Sequence, residues 1–296
     1  MENNKNYYSI DSYLKETFNK KMIKLSIDGG FTCPNRDGSK GTGGCAFCSE
    51  NGSGEFASNI DEQINLYKNK WPNAGHLAYF QNYTNTYAPA NELRQKYYAA
   101  LNHPEIEGLV ISTRPDCLPD ETQELLSEIN SKYFMWVELG LQTINDDIRN
   151  NLNVEYTLED FENAFEKLST LGIKTVVHLI LGLPGETEED MFNSVEYIAN
   201  IHPFGLKLHM LNLVKGSKLY EMMPEYCSFD SIEQYCDLIV RLLEIIPQDI
   251  TIHRLNGDVK RSILVLPEWS YKKRTILNTI NKMLKERETY QGRLAK

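Results

Sequence analysis

The segment CPNRDGSKGTGGCAFC, residues 33–48, brings three cysteines into a short, glycine-rich stretch. Thiolates such as Cys33, Cys45 and Cys48 bind metal ions and iron–sulfur clusters. A structural zinc site needs four tetrahedral ligands, usually in two close pairs, and only Cys45 and Cys48 form such a pair. The glycines let the backbone wrap around a bulky group, which favours a cluster. Three thiolates hold a [4Fe–4S] cluster and leave one iron open to a substrate or cofactor, with zinc as the alternative.

The whole chain has the composition of an ordinary globular protein, with 296 residues of which 41% are hydrophobic and 24% charged. Its N-terminus lacks the apolar stretch of a signal peptide, and no run reaches the ~18 apolar residues of a membrane span. We therefore expect a cytoplasmic protein with no membrane contact. Six cysteines in such a chain indicate metal or catalytic roles more than disulfides.

Charge is distributed unevenly along the chain. The net charge is −10, yet residues 260–296 carry ten Lys/Arg against three Asp/Glu. Such a segment is typical of a basic arm that binds a polyanion, or of a helix with a solvated basic face. Both interpretations stay open at this point.

Strand-like and helix-like segments alternate along the sequence, which predicts βαβ units around a parallel sheet. Thr157 followed by Asp160 predicts the start of one helix, and Gly172 its end. The predicted strands are MIKLSI (22–27), HLAYFQ (76–81), GLVIST (108–113), FMWVELGLQ (134–142), KTVVHLILG (174–182) and GLKLHMLNLV (205–214).

Further motifs follow the predicted strands: YFQNYTNTYAP (79–89), STRPDCLPD (112–120), ELGLQT (138–143), HLILGLPGET (178–187), KLHMLNLVKGS (207–217) and HRLNGD (253–258). With the cysteines, they resemble the radical S-adenosylmethionine (SAM) superfamily. The resemblance is to its YhcC/YtqA (MnmL-like) group, which is related to the radical SAM domain of the Elongator catalytic subunit. Eleven residues separate the first two cysteines, instead of the usual three, and this long gap is typical of particular subgroups that include Elongator.

The resemblance implies both a fold and two cofactors. The fold is α/β, a partial (βα)6 TIM-like barrel spanning residues 22–259. Residues 1–21 would be an N-terminal extension and residues 260–296 a basic helical extension. The three cysteines would bind a [4Fe–4S] cluster. SAM on its open iron would be reduced and cleaved to methionine and a 5′-deoxyadenosyl radical, which abstracts hydrogen.

The methionine part of SAM needs polar partners at the strand ends. Gln81, Asn82 and Thr84 offer oxygen acceptors for its ammonium group, where a polar strand-to-loop turn is the alternative. Arg114 can hold its carboxylate bidentately or form a surface ion pair instead.

The ribose and adenine have their own candidate contacts. Glu138 lies in an apolar run and needs a partner, because an unpaired buried carboxylate is costly. Ribose hydroxyls would serve, with Gln142 as a second contact, although an internal Arg or Lys would also serve. Phe47 could lean on the adenine ring, Ile180 could contact it, and Gly182 would allow close approach.

No catalytic residue is assigned, but three are candidates. Lys207 and His209 alternate on a predicted strand and point to one side. Cys117 either faces the substrate or is a small buried hydrophobe. Four further residues are expected to close the mouth of the site, where they could meet an anionic substrate: Lys215, His253, Arg254 and Asp258.

For the substrate, the resemblance implies the wobble uridine of tRNA. The implied step converts 5-carboxymethylaminomethyl-2-thiouridine to 5-aminomethyl-2-thiouridine. A SAM-dependent methyltransferase would act downstream, and flavodoxin or ferredoxin would supply electrons. The basic C-terminal segment would contact phosphates. The alternatives are a radical SAM enzyme for a small metabolite or a protein, and a non-catalytic iron–sulfur or zinc protein.

Overall fold

The computed structural model describes residues 6–52 and 54–295. Within these residues, seven parallel strands form the main sheet, and they lie side by side in chain order. Their bounds are β1 Met22–Ile27, β2 Gly75–Phe80, β3 Ile106–Thr113, β4 Phe134–Gln142, β5 Thr175–Leu181, β6 Gly205–Met210 and β8 Thr251–Arg254. Between the last two, β7 (Leu213–Val214) pairs antiparallel with β9 (Leu264–Leu266).

Six of the seven strands are those predicted from the sequence. The prediction missed β8, because the stretch Thr251–Arg254 is only four residues long and ends in polar side chains. It also extended the sixth strand too far, since the chain leaves the main sheet at Met210 before β7 begins.

Helices follow most of the strands and cover the outer face of the sheet. The predicted start of one helix is confirmed: Thr157 and Asp160 form a reciprocal capping box. Gly172 follows the end of that helix with a positive φ of 65°, which glycine adopts at no steric cost. The helices are α1 Ile10–Phe18, α2 Ile60–Tyr67, α3 Ala90–Leu101, α4 Asp120–Asn130, α5 Asp146–Asn151, α6 Leu158–Thr170, α7 Glu188–Ile201, α8 Lys218–Met222, α9 Ile232–Ile245 and α10 Lys273–Glu286.

The sheet is curled into a half-barrel. Tyr79 on β2 and Lys207 on β6 are four strands apart, which in a flat sheet would separate them by about 19 Å at about 4.8 Å per strand. The Lys207 Nζ nevertheless donates to the Tyr79 hydroxyl at 2.9 Å. The sheet must therefore be strongly curved, so that side chains of distant strands meet across its concave face. The predicted partial TIM-like barrel is confirmed.

The inside of the half-barrel is apolar at its base. Leu14 of α1 packs there with Leu77, Val110, Trp136 and Val176. The larger core lies on the other face, between the strands and the helices. Apolar side chains therefore fill the base of the interior, and the polar side chains of the interior lie further along the strands, near their carboxyl ends.

The C-terminal segment is part of the packed structure. Ile276, Ile280 and Leu284 of α10 are fully buried, and α10 lies against α9. The expected helical extension from residue 260 is corrected in one respect: β9 and a short 3-10 helix, Glu268–Tyr271, precede α10.

None of the helices in the described residues is long and apolar enough to cross a membrane.

Candidate functional site

A cavity of about 250 Å³ opens at the carboxyl ends of the strands. Cys33, Cys45 and Cys48 all line it, together with side chains that follow β2, β3, β4 and β5. The carboxyl ends of barrel strands are where parallel α/β barrels do their chemistry. The fold therefore gathers the cysteine segment and the strand-end motifs into one site.

Hydrogen bonds between the cysteine segment and neighbouring residues hold it in place. The Asn35 amide donates to the backbone carbonyl of Asn153 at 2.6 Å and approaches the Cys45 Sγ at 3.6 Å. Asn153, just after α5, donates in return to the carbonyl of Gly44 at 2.8 Å. Arg36 donates to the Ser49 carbonyl at 2.6 Å. These contacts fix the loop even though it has no regular secondary structure.

Two glycines of the segment have a steric reason to be glycine. Gly43 and Gly44 have φ values of 76° and 78°, a region that other residues rarely adopt. A Cβ on Gly44 would lie 2.8 Å from Arg36 Nε, and a Cβ on Gly43 would lie 2.2 Å from Lys218 Cε. The backbone at Gly44 and Gly43 therefore passes close to Arg36 and Lys218, the basic side chains that cover the loop.

Arg114 has a carboxylate partner within the protein. Its Nε and Nη2 donate to the two oxygens of Asp116 at 2.9 and 2.8 Å, and Lys40 Nζ adds a bond of 2.7 Å to that carboxylate. The Arg114 Nη1 faces Cys33 Sγ at 3.8 Å. Asp116 thus takes the bidentate face of Arg114, which also lines the cavity; its contact with the SAM carboxylate stays a prediction.

Cys45 and Cys48 interact directly. The hydrogen bond from Cys48 lowers the pKa of the Cys45 thiol, with further help from the charges of Arg114 and Arg36. The same bond, together with burial, raises the pKa of Cys48 well above its usual value.

The polar residues after β2 divide between two environments. Gln81 and Thr84 line the cavity. Thr84 is fully buried, and its hydroxyl has no hydrogen-bond partner in the part of the chain that the structure describes. Asn82 does not line the cavity; it donates to Asp28 at 3.1 Å. Its side chain turns toward the loop after β1, while its Oδ1 has no hydrogen-bond partner among the described residues, and its contact with SAM stays a prediction.

Glu138 is the centre of a buried polar layer beneath the cavity. Its carboxylate accepts hydrogen bonds from Tyr79 at 2.6 Å, from Ser112 at 3.1 Å and from the Trp136 indole at 3.1 Å. Lys207 also pairs with it directly. Protein groups therefore surround the carboxylate, including the internal Lys that was the alternative to ribose. Glu138 also lines the cavity, and its contact with ribose stays a prediction.

Two more strands contribute to the same layer. Lys24 of β1 reaches Glu138 at 3.4 Å, and His178 of β5 contacts it at 2.9 Å. Burial by itself would raise the pKa of Glu138, but the charges of Lys207 and Lys24 hold it well below the usual range. Burial, aided by Lys207, lowers the pKa of His178 to about 4, so His178 is neutral and donates to the carboxylate.

Four of the predicted adenine and ribose contacts lie at the cavity. The residues that line it are Phe47, Glu138, Gln142 and Ile180. Gly182 does not: a Cβ there would lie 2.5 Å from Ser228 Cβ, and its N–H donates to Glu186 at 2.8 Å. Its expected approach to SAM is corrected, since the glycine accommodates the protein segment at Ser228.

Of the three catalytic candidates, only His209 lines the cavity. Its Nε2 is buried without a hydrogen-bond partner among the described residues. Lys207 is buried below, bonded to Glu138 and Tyr79. Cys117 lines a different cavity, and burial raises the pKa of its thiol to about 12. The structure therefore corrects the placement of Lys207 and Cys117 beside a substrate.

Several residues of the site were missed in the sequence. Lys24 and Tyr79 join the Glu138 layer, and Tyr156 lines the cavity with its ring 5.1 Å from the Arg114 guanidinium carbon. Alternation along the strands holds a usable signal for the first two. Tyr79 lies two residues before Gln81 and must share its face. Tyr156 follows α5 in a loop, where no periodicity reveals it.

The residues present fit a three-thiolate cluster with a polar ligand beside it. Within residues 6–52 and 54–295, no three His, Cys, Asp or Glu side chains are grouped as around one metal ion. In a [4Fe–4S] cluster each thiolate binds a different iron, so the three cysteines at one cavity suit this larger group. The unsatisfied Thr84 hydroxyl and His209 Nε2 supply polar partners for a molecule that enters the cavity.

Sequence comparisons identify relatives over nearly the whole chain. YtqA from Bacillus subtilis is 38% identical over 98% of this chain and 92% of its own length. Elongator complex protein 3 from Schizosaccharomyces pombe is 30% identical, over 51% of this chain and 28% of its own length. Among solved structures, the archaeal Methanocaldococcus infernus Elp3 with an N-terminal deletion matches with a TM-score of 0.68 at 17% identity, covering 91% of this chain and 64% of that one.

Family models cover most of the structure. Residues 37–198 match the radical SAM superfamily, and residues 203–286 match the radical SAM C-terminal domain. The chain therefore belongs to the radical SAM superfamily, whose enzymes use a [4Fe–4S] cluster and SAM.

Proposed function

We propose that this radical SAM enzyme acts on the wobble uridine of tRNA, converting 5-carboxymethylaminomethyl-2-thiouridine to 5-aminomethyl-2-thiouridine. The observation that carries the proposal is a single cavity that joins three cysteines to the guanidinium of Arg254. The likeness to Elongator complex protein 3 supports it, because the motif resemblance connects that subunit with wobble uridine.

The cavity wall carries a cation that can bind an anionic group. Lys24 and Lys207 share one carboxylate, that of Glu138. Arg254 adds a third cation at the cavity wall, and its partner Asp258 is 3.6 Å away and also pairs with Lys273. A guanidinium such as that of Arg254 can bind a carboxylate through two parallel hydrogen bonds. The proposed substrate carries a carboxylate on the very side chain that is cut.

The cofactors have their own positions in this arrangement. Cys33, Cys45 and Cys48 would hold the cluster. We place SAM along the cavity wall formed by Gln81, Thr84, Phe47, Gln142 and Ile180. When bound, these cofactors supply a carbon-centred radical that removes a hydrogen atom from the substrate.

The residues of the chain select which hydrogen is removed. Arg254 would bind the substrate carboxylate, so that the carbon between this carboxylate and the amine faces the cysteine end of the cavity. A radical on that carbon is stabilised by both neighbours. Loss of a second electron, with SAM as the overall two-electron oxidant, would give an imine, and later addition of water would break the C–N bond and release the two carbons as glyoxylate. Phe47, Ile180 and Leu211 line the cavity with apolar surface and would keep water from the reacting carbon. His209, whose pKa burial holds well below its usual value, would act as a neutral hydrogen-bonding group.

Nucleoside mass spectrometry tests the proposal. In tRNA from a strain lacking the gene we expect accumulation of 5-carboxymethylaminomethyl-2-thiouridine, reversed by the wild-type gene and not by a Cys45→Ala gene. Purified enzyme with SAM and a reductant should convert that tRNA and release 5′-deoxyadenosine. An unchanged nucleoside profile in the deletion strain would contradict the tRNA substrate, while 5′-deoxyadenosine formation tests the radical chemistry separately.

The proposal also predicts a reductant, a downstream enzyme and a location in the cell. The reductant would be flavodoxin or ferredoxin, a SAM-dependent methyltransferase would act on the product, and the reaction would take place in the cytoplasm. The family membership supports the need for an electron donor. The methyltransferase depends on the proposed substrate alone.

A further inference from the structure

Exposed aromatic rings sit among basic side chains beside the cavity mouth. Phe56 is 45% exposed, and its ring centre lies 5.3 Å from Lys260 Nζ and 5.9 Å from Lys273 Nζ. Tyr271 is 38% exposed, with the Arg261 guanidinium carbon 4.5 Å from its ring centre. We call these five residues, Phe56, Lys260, Arg261, Tyr271 and Lys273, the aromatic–basic surface.

This surface is continuous with the mouth of the cavity. Glu55 and Val259, the chain neighbours of Phe56 and Lys260, both line the cavity. Asp258 also lines it and pairs with Lys273 at the start of α10. Three separate parts of the chain thus meet here: the loop after the cysteines, the segment before β9 and the region around the 3-10 helix. A molecule bound on this surface would touch the cavity entrance.

The local charge is opposite to that of the whole molecule. Residues 260–274 hold five Lys/Arg and one Glu, in a chain with a net charge of −10. A solvated basic helix face explains cations, but it does not explain why two large aromatic rings are left exposed among them. Cations beside exposed rings are the combination that binds single-stranded nucleic acid, through phosphate contacts and base stacking.

We propose that the aromatic–basic surface binds an unpaired loop of RNA, with one base stacked on Phe56 and phosphates held by Lys260 and Arg261, so that an adjoining nucleotide enters the cavity. The inference rests on the proposed function and specifies how its substrate docks. Bases inside a duplex have both faces covered, whereas loop bases can be splayed onto aromatic side chains. The surface therefore selects a loop over a duplex.

Binding of labelled RNA to the full-length protein tests this proposal. An anticodon stem-loop and a blunt duplex of the same length are titrated by fluorescence anisotropy at several salt concentrations. We expect the wild type to prefer the stem-loop. Phe56→Ala should weaken stem-loop binding by about 10- to 100-fold, the range expected for one stacked base, while Phe56→Trp should retain it. Lys260→Gln should reduce the salt slope by about one.

The matched control is Lys282→Gln on the second half of α10, where the side chain is 71% exposed; it should bind like the wild type. Thermal melting confirms that each variant is folded. Equal effects of Phe56→Ala and Lys282→Gln would overturn the surface and leave the proposed reaction standing. Stem-loop binding that depends on Phe56 in an enzyme that leaves tRNA unmodified would support the surface and contradict the reaction. Competition by polyglutamate as strong as by RNA would show a protein ligand and overturn the proposal.

Discussion

At the residue scale, the site depends on charges that compensate one another in a small volume. Glu138 is buried with Lys207 and Lys24, and removing one partner of such a group leaves an uncompensated charge, which costs about 3–5 kcal/mol. Arg114 and Asp116 form a second pair that faces Cys33. Both groups lie where the proposed cofactors and substrate meet, so they shape the potential in the cavity.

The cysteine assignment gives the first prediction. Cys45→Ala should lose bound iron and sulfide after anaerobic reconstitution, because two remaining thiolates cannot hold the cluster. Cys227 provides the matched control, since it is exposed and lies outside the cavity lining. Cys227→Ala should retain the iron content of the wild type. Full iron and sulfide in Cys45→Ala would contradict the assignment.

His178 gives a prediction about acid stability. Its pKa is about 4 in the folded protein and 6.5 ordinarily, so below pH 6.5 the unfolded chain gains a proton that the folded chain does not. The free energy of unfolding should therefore fall between pH 6.5 and pH 4, by up to about 3 kcal/mol. His178→Gln keeps a donor for Glu138 and removes the titration. Urea unfolding of the cluster-free protein should show a shallower acid slope for this variant, and equal slopes would contradict the prediction.

At the element scale, the cysteine loop is held by contacts to other loops and helices. Asn35 and Asn153 exchange hydrogen bonds across it, and α8 begins where its Leu219 N–H donates to the Ala46 carbonyl at 2.8 Å. At the other end of the strands, α1 closes the base of the half-barrel, where its Leu14 packs against the interior. The strands between these two ends carry the polar layer at a fixed depth.

The closing role of α1 gives a stability prediction. Leu14 is 4% exposed and packs against Leu77 and Trp136, so Leu14→Ala should lower the free energy of unfolding by about 2–5 kcal/mol. Leu66 on α2 is 67% exposed and serves as the control, where the same substitution should change stability by at most about 0.5 kcal/mol. Denaturant unfolding measures both, and similar losses in the two variants would contradict the role of α1.

At the scale of the whole molecule, the C-terminal segment completes the core. Ile276, Ile280 and Leu284 are fully buried. Gln291 donates to the carbonyls of Pro247 and Ile250 at 2.6 and 2.8 Å. These contacts join the end of the chain to the edge of the sheet near β8.

A truncation tests this view. A chain ending at residue 259 should lose cooperative thermal unfolding, because the apolar face of α9 would be exposed to water. The control keeps α10 and removes two of its exposed charges by Lys282→Gln and Lys285→Gln, which should leave the melting transition in place. A truncated protein that melts cooperatively near the wild-type temperature would show that the segment is a separable extension.

The local elements were predictable to different degrees. Periodicity and strand-forming residues located β1 and β4 at their observed bounds, and the Thr157 capping box marked a helix start. β8 escaped because it is four residues long. The partners of Glu138 were not predicted, because they come from strands far apart in the chain. Only the curled sheet brings Lys24 and Lys207 to one carboxylate.

The sequence by itself predicted the cluster ligands and determined the α/β architecture, since cysteine spacing, glycines and strand–helix alternation are local properties of the chain. The tertiary structure decided which polar residues face the cavity. In the folded protein, Arg114 pairs with Asp116, Glu138 is enclosed by its ion pairs, and Cys117 lines another cavity. Side-chain partners across a curled sheet depend on contacts between distant residues, so they follow from packing and charge compensation rather than from local pattern.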